Sequence, residues 1–168
     1  DFGMALDNIQ DENQVLIIKS AGNCSNFIRQ LPKSRIAQSA DSVRSVVVGS
    51  LAQAKGPNDY ADVDAPSPFT RIGPGPGSIV KPDLVFYGGN AGVAGGRLTK
   101  TGLKSFAPNG DIVTNVGTSF STPWVTRMAA ELTHLVHEEF DPLLIRALLI
   151  HNAKYPANCA MTMADKVT

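Results

Sequence analysis

The sequence predicts an α/β domain in which a mainly parallel sheet is flanked by helices. Two observations carry this. The runs "VLIIKS", "VRSVVVGSL" and "DLVFYG" are short, almost wholly apolar and rich in Val and Ile, as strands covered on both faces are. The stretches "FGMALDNIQDEN", "STPWVTRMAAEL" and "DPLLIRALLIHNA" have the length and apolar content of helices that pack on such a sheet. No internal repeat is visible and nothing marks a second domain, so residues 1–168 read as one unit.

Each element has its own local reason. Phe2, Ala5, Leu6 and Ile9 recur at helical spacing among acids and amides, which predicts a helix over residues 2–13. Four apolar residues in a row, Val15 to Ile18, predict a strand buried on both faces, ending in a small-residue turn at 20–23. Residues 43–51 predict a second such strand and residues 83–88 a third. Between these two, "GPNDYADVDAPSPFTRIGPGPGSIVKPD" is rich in turn formers and reads as a long loop, with short strand pieces near 60–63 and 69–72. "GNAGVAGGRLTKTG" reads as another Gly-rich loop, and "IVTNVGT" as a short strand. Val125, Met128, Ala129, Leu132, Leu135 and Val136 mark the clearest helix, with Pro123 in its first turn, where a missing N–H costs nothing. Asp141 is a good N-cap and Pro142 a good first residue for the last helix, whose near-continuous apolar content suggests packing between other elements.

Bulk composition narrows the function classes. The length suffices for one domain with a core. The formal net charge is zero, which argues against nucleic acid or an anionic membrane surface as the main partner. No apolar run approaches the roughly 20 residues of a membrane helix. The first residues, "DFGMALDNIQ", lack the basic-then-apolar pattern of a secretory leader. They also lack an initiating Met and read as the start of an excised piece, so a cytoplasmic and a secreted address both stay open. Cys24 and Cys159 make neither a disulfide framework nor a zinc spacing, and buried free thiols are the favoured reading.

The chemistry concentrates in "GTSFSTP", residues 117–123. A serine that opens a helix sits among unpaired backbone N–H groups at the positive end of the helix dipole. Ser and Thr cap helices widely, so the turn alone does not separate a cap from a nucleophile. The pattern as a whole, with Gly117, Thr118, Ser119, Ser121 and Pro123, resembles the nucleophile motif of the subtilisin-like serine proteases, the subtilases. Three further stretches match in the family's order: "LIIKSAGN", "FTRIGPGPGSIVKPDLV" and "LLIRALLIHNA". The resemblance covers nearly the whole chain and implies a partial subtilisin-like three-layer fold. It implies a serine endopeptidase acting on peptide or protein substrates, with Ser119 as nucleophile and Asn23 donating to the oxyanion hole. A carbonyl attacked by Ser119 needs a second donor besides the Ser119 N–H, and a carboxamide donates without carrying charge. By the same resemblance Ser20, Ala21 and Gly22 form one wall of the primary specificity pocket, with Gly117 and Thr118 beside the substrate. Sedolisins, acid-active relatives, place an aspartate where Asn23 stands, so Asn23 argues for the subtilisin side.

There are departures. Thr70 takes the place of a serine in the family's Ser-x-x-Gly-Pro loop, and "VFYGGN" stands where Ala-Pro-Gly is usual, in the manner of a divergent bacterial branch. The family's Asp-Thr/Ser-Gly and His-Gly-Thr motifs are absent, and no histidine precedes Ser119. His134 and His137 lie about 22 Å and about 27 Å further along the helix axis. His151 is on the next helix, and nothing places Lys19 or Lys81 at the serine. The chain therefore reads as the C-terminal portion of a subtilase catalytic domain, without the acid- and base-bearing portion, and inactive alone. It is expected to meet that missing portion, or a second copy of itself, through an exposed sheet edge. Two other classes compete: a pseudo-protease or interaction scaffold on this fold, and a nucleotide-binding domain built on "GPGPG", where Pro74 and Pro76 remove two N–H donors a phosphate cradle would use. No cofactor is implied. Asp59, Asp62 and Asp64 are the only local calcium candidates and read better as a solvated acidic loop.

Overall fold

A computed structural model describes residues 2–36, 38–136 and 139–156. It contains α1 (Phe2–Asn13), β1 (Ile18–Ser20), β2 (Val46–Leu51), β3 (Leu84–Tyr87), β4 (Asn90–Ala94), β5 (Arg97–Thr101), β6 (Leu103–Phe106), β7 (Ile112–Asn115), α2 (Thr118–Leu135) and α3 (Pro142–His151), with short 3-10 turns between. Strands β1, β2 and β3 form a parallel sheet in that order, Ile18 opposite Val46 and Val48 opposite Leu84. The mixed α/β architecture expected from the apolar runs is present.

Alternation along β2 divides the core. Val46 and Val48 face α2 and α3, where they meet Val125, Ala129, Ile145 and Leu149. Val47 points the other way, onto Ala21, Ile36 and Ala40. All six β2 residues are buried, as a central strand covered on both sides must be.

Several expectations need correcting. The first strand is three residues long and only half-buried, because β1 is an edge strand paired with β2 alone among the described residues. In α1 the buried positions are Gly3 and Gln10, while Phe2 and Ile9 are 61% and 45% exposed. Polar bonds hold this helix: Gln10 Nε2 donates to Ser45 Oγ (3.1 Å), and Asp7 accepts from the Ser42 hydroxyl and the Val43 and Arg44 N–H groups. Segment 60–63 forms no strand and segment 69–72 contributes only isolated bridges, Thr70 to Asn23 and Ile72 to Arg35. The Gly-rich loop after β3 is instead a β4–β5 hairpin, turned by Gly95 and Gly96, both at positive φ, and β6–β7 forms a second hairpin. Two glycines between alternating strands are a hairpin signal, since such a turn needs positive φ at both central residues. Pro123 is the sixth residue of α2, not in its first turn, so Ser119 C=O loses its helical donor. Leu135 is 71% exposed. In α3 only Ile145 and Leu149 are buried, so this helix packs on one face rather than between two. The Asp141 cap is present, its Oδ1 accepting from Leu143 N (2.8 Å) and Leu144 N (3.3 Å).

Candidate active site

Parallel strands place the turns that follow them at one end of the sheet. The segment after β1 and the start of α2 meet at that end. Asn23 bridges Thr70, and the neighbouring Cys24 N–H donates to Phe69 C=O (2.7 Å). The Thr70 hydroxyl accepts the Ser50 N–H (3.1 Å), which ties that loop to β2. Ser67 adds a second tie, bonding Ser50 Oγ (2.7 Å) and donating to Gly89 C=O (2.6 Å).

Asn23 and the α2 N-terminus are joined directly. Asn23 Oδ1 accepts the Thr118 N–H (3.0 Å) and the Thr118 hydroxyl (3.2 Å). The helix is thus capped by a residue 95 positions away, and Ser119 is its second residue rather than its cap. An N–H can only donate, so this bond fixes which end of the carboxamide is oxygen. Asn23 Nδ2 is left as a donor on the Gly117 side: a Cβ on Gly117 would lie 3.1 Å from it. Gly117 also has φ 151°, a conformation that favours glycine.

Ser119 is exposed. Among the described residues, neither its hydroxyl nor its N–H has an internal hydrogen-bond partner, and Asn23 Nδ2 has no acceptor. The Phe120 N–H, by contrast, turns back to Gly117 C=O (2.9 Å). A serine hydroxyl and two unused N–H donors therefore gather around one helix start.

Gly88, whose role the sequence did not reveal, positions this start. Its C=O accepts the Gly117 N–H (2.8 Å), and a Cβ there would meet Ser50 Oγ at 2.4 Å and Gly117 O at 2.7 Å. A glycine closing a strand was the available signal.

Of the expected pocket wall, Ser20 ends β1, Ala21 is buried with its N–H on Val48 C=O (2.9 Å), and Gly22 has φ +89°. An open groove of about 450 Å³ lined by Phe27, Leu31, Tyr60 and Pro66 includes neither Ser119 nor Asn23.

No base hydrogen-bonds the Ser119 hydroxyl among the described residues. His134 is exposed near the far end of the unbroken α2, His151 is exposed at the end of α3, and His137 lies outside the described residues. Lys81 is at the opposite end of the sheet, donating to Ser45 C=O (2.7 Å) and Asp83 (2.6 Å). Burial pushes its ammonium below the ordinary lysine value, against the pull of Asp83. Asp59, Asp62 and Asp64 do not converge: they bond Gly56 N–H, Lys55 and Tyr87 respectively. The Asp64 carboxylate raises the Tyr87 hydroxyl above its usual value. Cys24 is a buried free thiol, and Cys159 lies outside the described residues.

The Peptidase_S8 family model, described as the subtilase family, matches residues 2–166. This chain belongs to the subtilase family. It is also 32% identical over 190 residues to a Sinorhizobium fredii (strain NBRC 101917 / NGR234) protein named "Uncharacterized protein y4bN". That match covers 92% of this chain and 44% of the relative, so the chain spans less than half the relative's length. The serine peptidase-type domain expected from "GTSFSTP" is therefore shown at the level of family.

Proposed function

We propose that this chain is the nucleophile-bearing part of a subtilisin-type serine endopeptidase. The observation that carries the reading is the bond from the Thr118 N–H to Asn23 Oδ1, which leaves Asn23 Nδ2 and the Ser119 N–H as unused donors near one serine hydroxyl. Ser119 Oγ attacks the peptide carbonyl carbon. The two donors meet the charge that develops on oxygen. The hydroxyl proton passes to a base and then to the departing amine, leaving an acyl-enzyme that water hydrolyses.

The base and its orienting acid come from residues outside this chain, which joins them through the open edge of β1. Alone, the chain is inactive and self-associates through that edge. A fluorophosphonate probe labels Ser119 in the intact protein and hardly labels this chain by itself. Strong labelling of the chain alone reveals a base within it. Failure to label the intact protein favours an interaction scaffold on the same fold. A single monomeric species of the isolated chain in sedimentation removes the edge proposal.

A further inference from the structure

Arg71 lies across the segment proposed as the pocket wall. Gly22 has no side chain, and Arg71 crowds the space one would take: a Cβ on Gly22 would lie 3.1 Å from Arg71 Cδ and 3.3 Å from Nε. The backbone sets this up, since the Arg71 N–H donates to Gly22 C=O (3.2 Å) and Thr70 bridges Asn23. Two bonds then hold the guanidinium, Nε to Asn23 C=O (3.2 Å) and Nη1 to Arg35 C=O (2.9 Å).

Both acceptors are neutral carbonyls, so they orient the group without compensating its charge. No ion pair among the described residues involves Arg71. A guanidinium carries five N–H donors, of which these bonds use two. Three N–H groups remain, one on Nη1 and two on Nη2, enough to meet a carboxylate. An arginine serving only to brace a loop gains from a carboxylate partner in the protein. This one is braced and left charged, bonded to the backbone of the proposed oxyanion donor itself.

We propose that Arg71 is a specificity-determining residue that selects an acidic side chain, Glu or Asp, on the substrate residue whose carbonyl Ser119 attacks. The proposal rests on the peptidase reading of Ser119 and on Ser20, Ala21 and Gly22 as pocket wall. It adds the substrate class. An oriented guanidinium gains a bidentate carboxylate and strands a neutral or cationic side chain against an uncompensated charge.

The test uses the intact protein and peptides amidated at the C-terminus, so that no terminal carboxylate competes. Matched substrates carry Glu, Gln or Lys at the attacked residue. The expected kcat/KM ratio of Glu over Gln is about tenfold or more at low salt, shrinking as salt rises. Arg71→Gln brings the ratio near one, and Arg71→Lys, a point charge without the fork, gives an intermediate value. A ratio between two substrates does not depend on how much of a variant folds. Binding supplies a second readout: in the Ser119→Ala protein, an acetylated peptide amide containing Glu binds about tenfold tighter than its Gln counterpart, and Arg71→Gln abolishes the gain. A wild-type ratio near one with peptides cleaved overturns the inference and leaves the peptidase reading standing. A Glu preference that survives Arg71→Gln assigns it to another residue and also overturns the inference. Absence of both cleavage and Ser119 labelling overturns the peptidase reading, and the inference with it.

Discussion

The two ends of the three-stranded sheet are built on opposite rules. At the end where the strands begin, a cluster of buried charges is paired. Lys81 and Asp83, with side chains 1% and 6% exposed, pair with each other, Arg146 reaches Asp83 from α3 (3.2 Å), and Asp83 also accepts the Val47 N–H (2.7 Å). Arg146 further donates to the Val43 and Arg44 carbonyls, so one buried network joins the entries of β2 and β3 to α3. At the end where the strands finish, Ser119 and Asn23 are exposed and their donors are unspent. Parallel α/β sheets commonly place their ligands outside the carboxyl ends of the strands. The difference teaches where this fold holds itself together and where it leaves hydrogen-bonding groups unspent.

Mutations sharpen or break that contrast. The largest effect is expected from Asp83→Ala, which strands a buried lysine and should destabilise the fold by about 3–5 kcal/mol. Chemical denaturation measures it, and a loss below about 1 kcal/mol would mean the pair is hydrated rather than buried. Asn23→Ala should act in the other currency. Turnover of the intact protein falls by about 10²–10³, a magnitude measured on subtilisin itself rather than obtained from this chain. Its KM should change little, because the donor works in the transition state. A pure KM effect would place Asn23 in substrate binding instead.

Asp141→Ala removes the α3 cap and should cost about 1 kcal/mol, visible as a lower unfolding midpoint with activity per folded molecule unchanged. The smallest effect is the pH dependence of Asp7. Burial pushes its carboxyl up, but the bonds from Ser42, Arg44 and Val43, with the nearby Lys81 charge, outweigh this and hold it below the ordinary value of 3.8. The unfolded chain then binds a proton there more readily than the folded one. The stabilisation is fully present above the ordinary value and is lost as pH falls through the lower folded value. Asp7→Asn should flatten stability in that acidic window, and an unchanged acid limb would remove Asp7 from the account.

How much was legible follows from the range of each interaction. The α2 and α3 helices, the buried β2 and the Asp141 cap rest on neighbours within a few residues, and the sequence showed them. So did the serine turn, because the family's five-position pattern lies within seven residues. The hairpin at Gly95–Gly96 differs: its turn signal is local, but paired glycines mark a loop as readily as a turn, and only the alternation around them separates the two. The orientation of α1 had no local signal, because its apolar periodicity points to the side that the structure leaves exposed while Gln10 and Asp7 hold the other.

By itself, then, the sequence determined the class of fold, the family and the identity of the residues to watch. Only the tertiary structure decided that Asn23 caps the helix whose second residue is Ser119, that Gly88 sets the distance between β3 and that helix, and that Arg71 lies against Gly22. These are contacts between residues far apart in the chain. Periodicity and propensity report how a segment satisfies its own backbone. They cannot report which distant carboxamide accepts a helix's first N–H, since that depends on the sheet bringing two strand ends together.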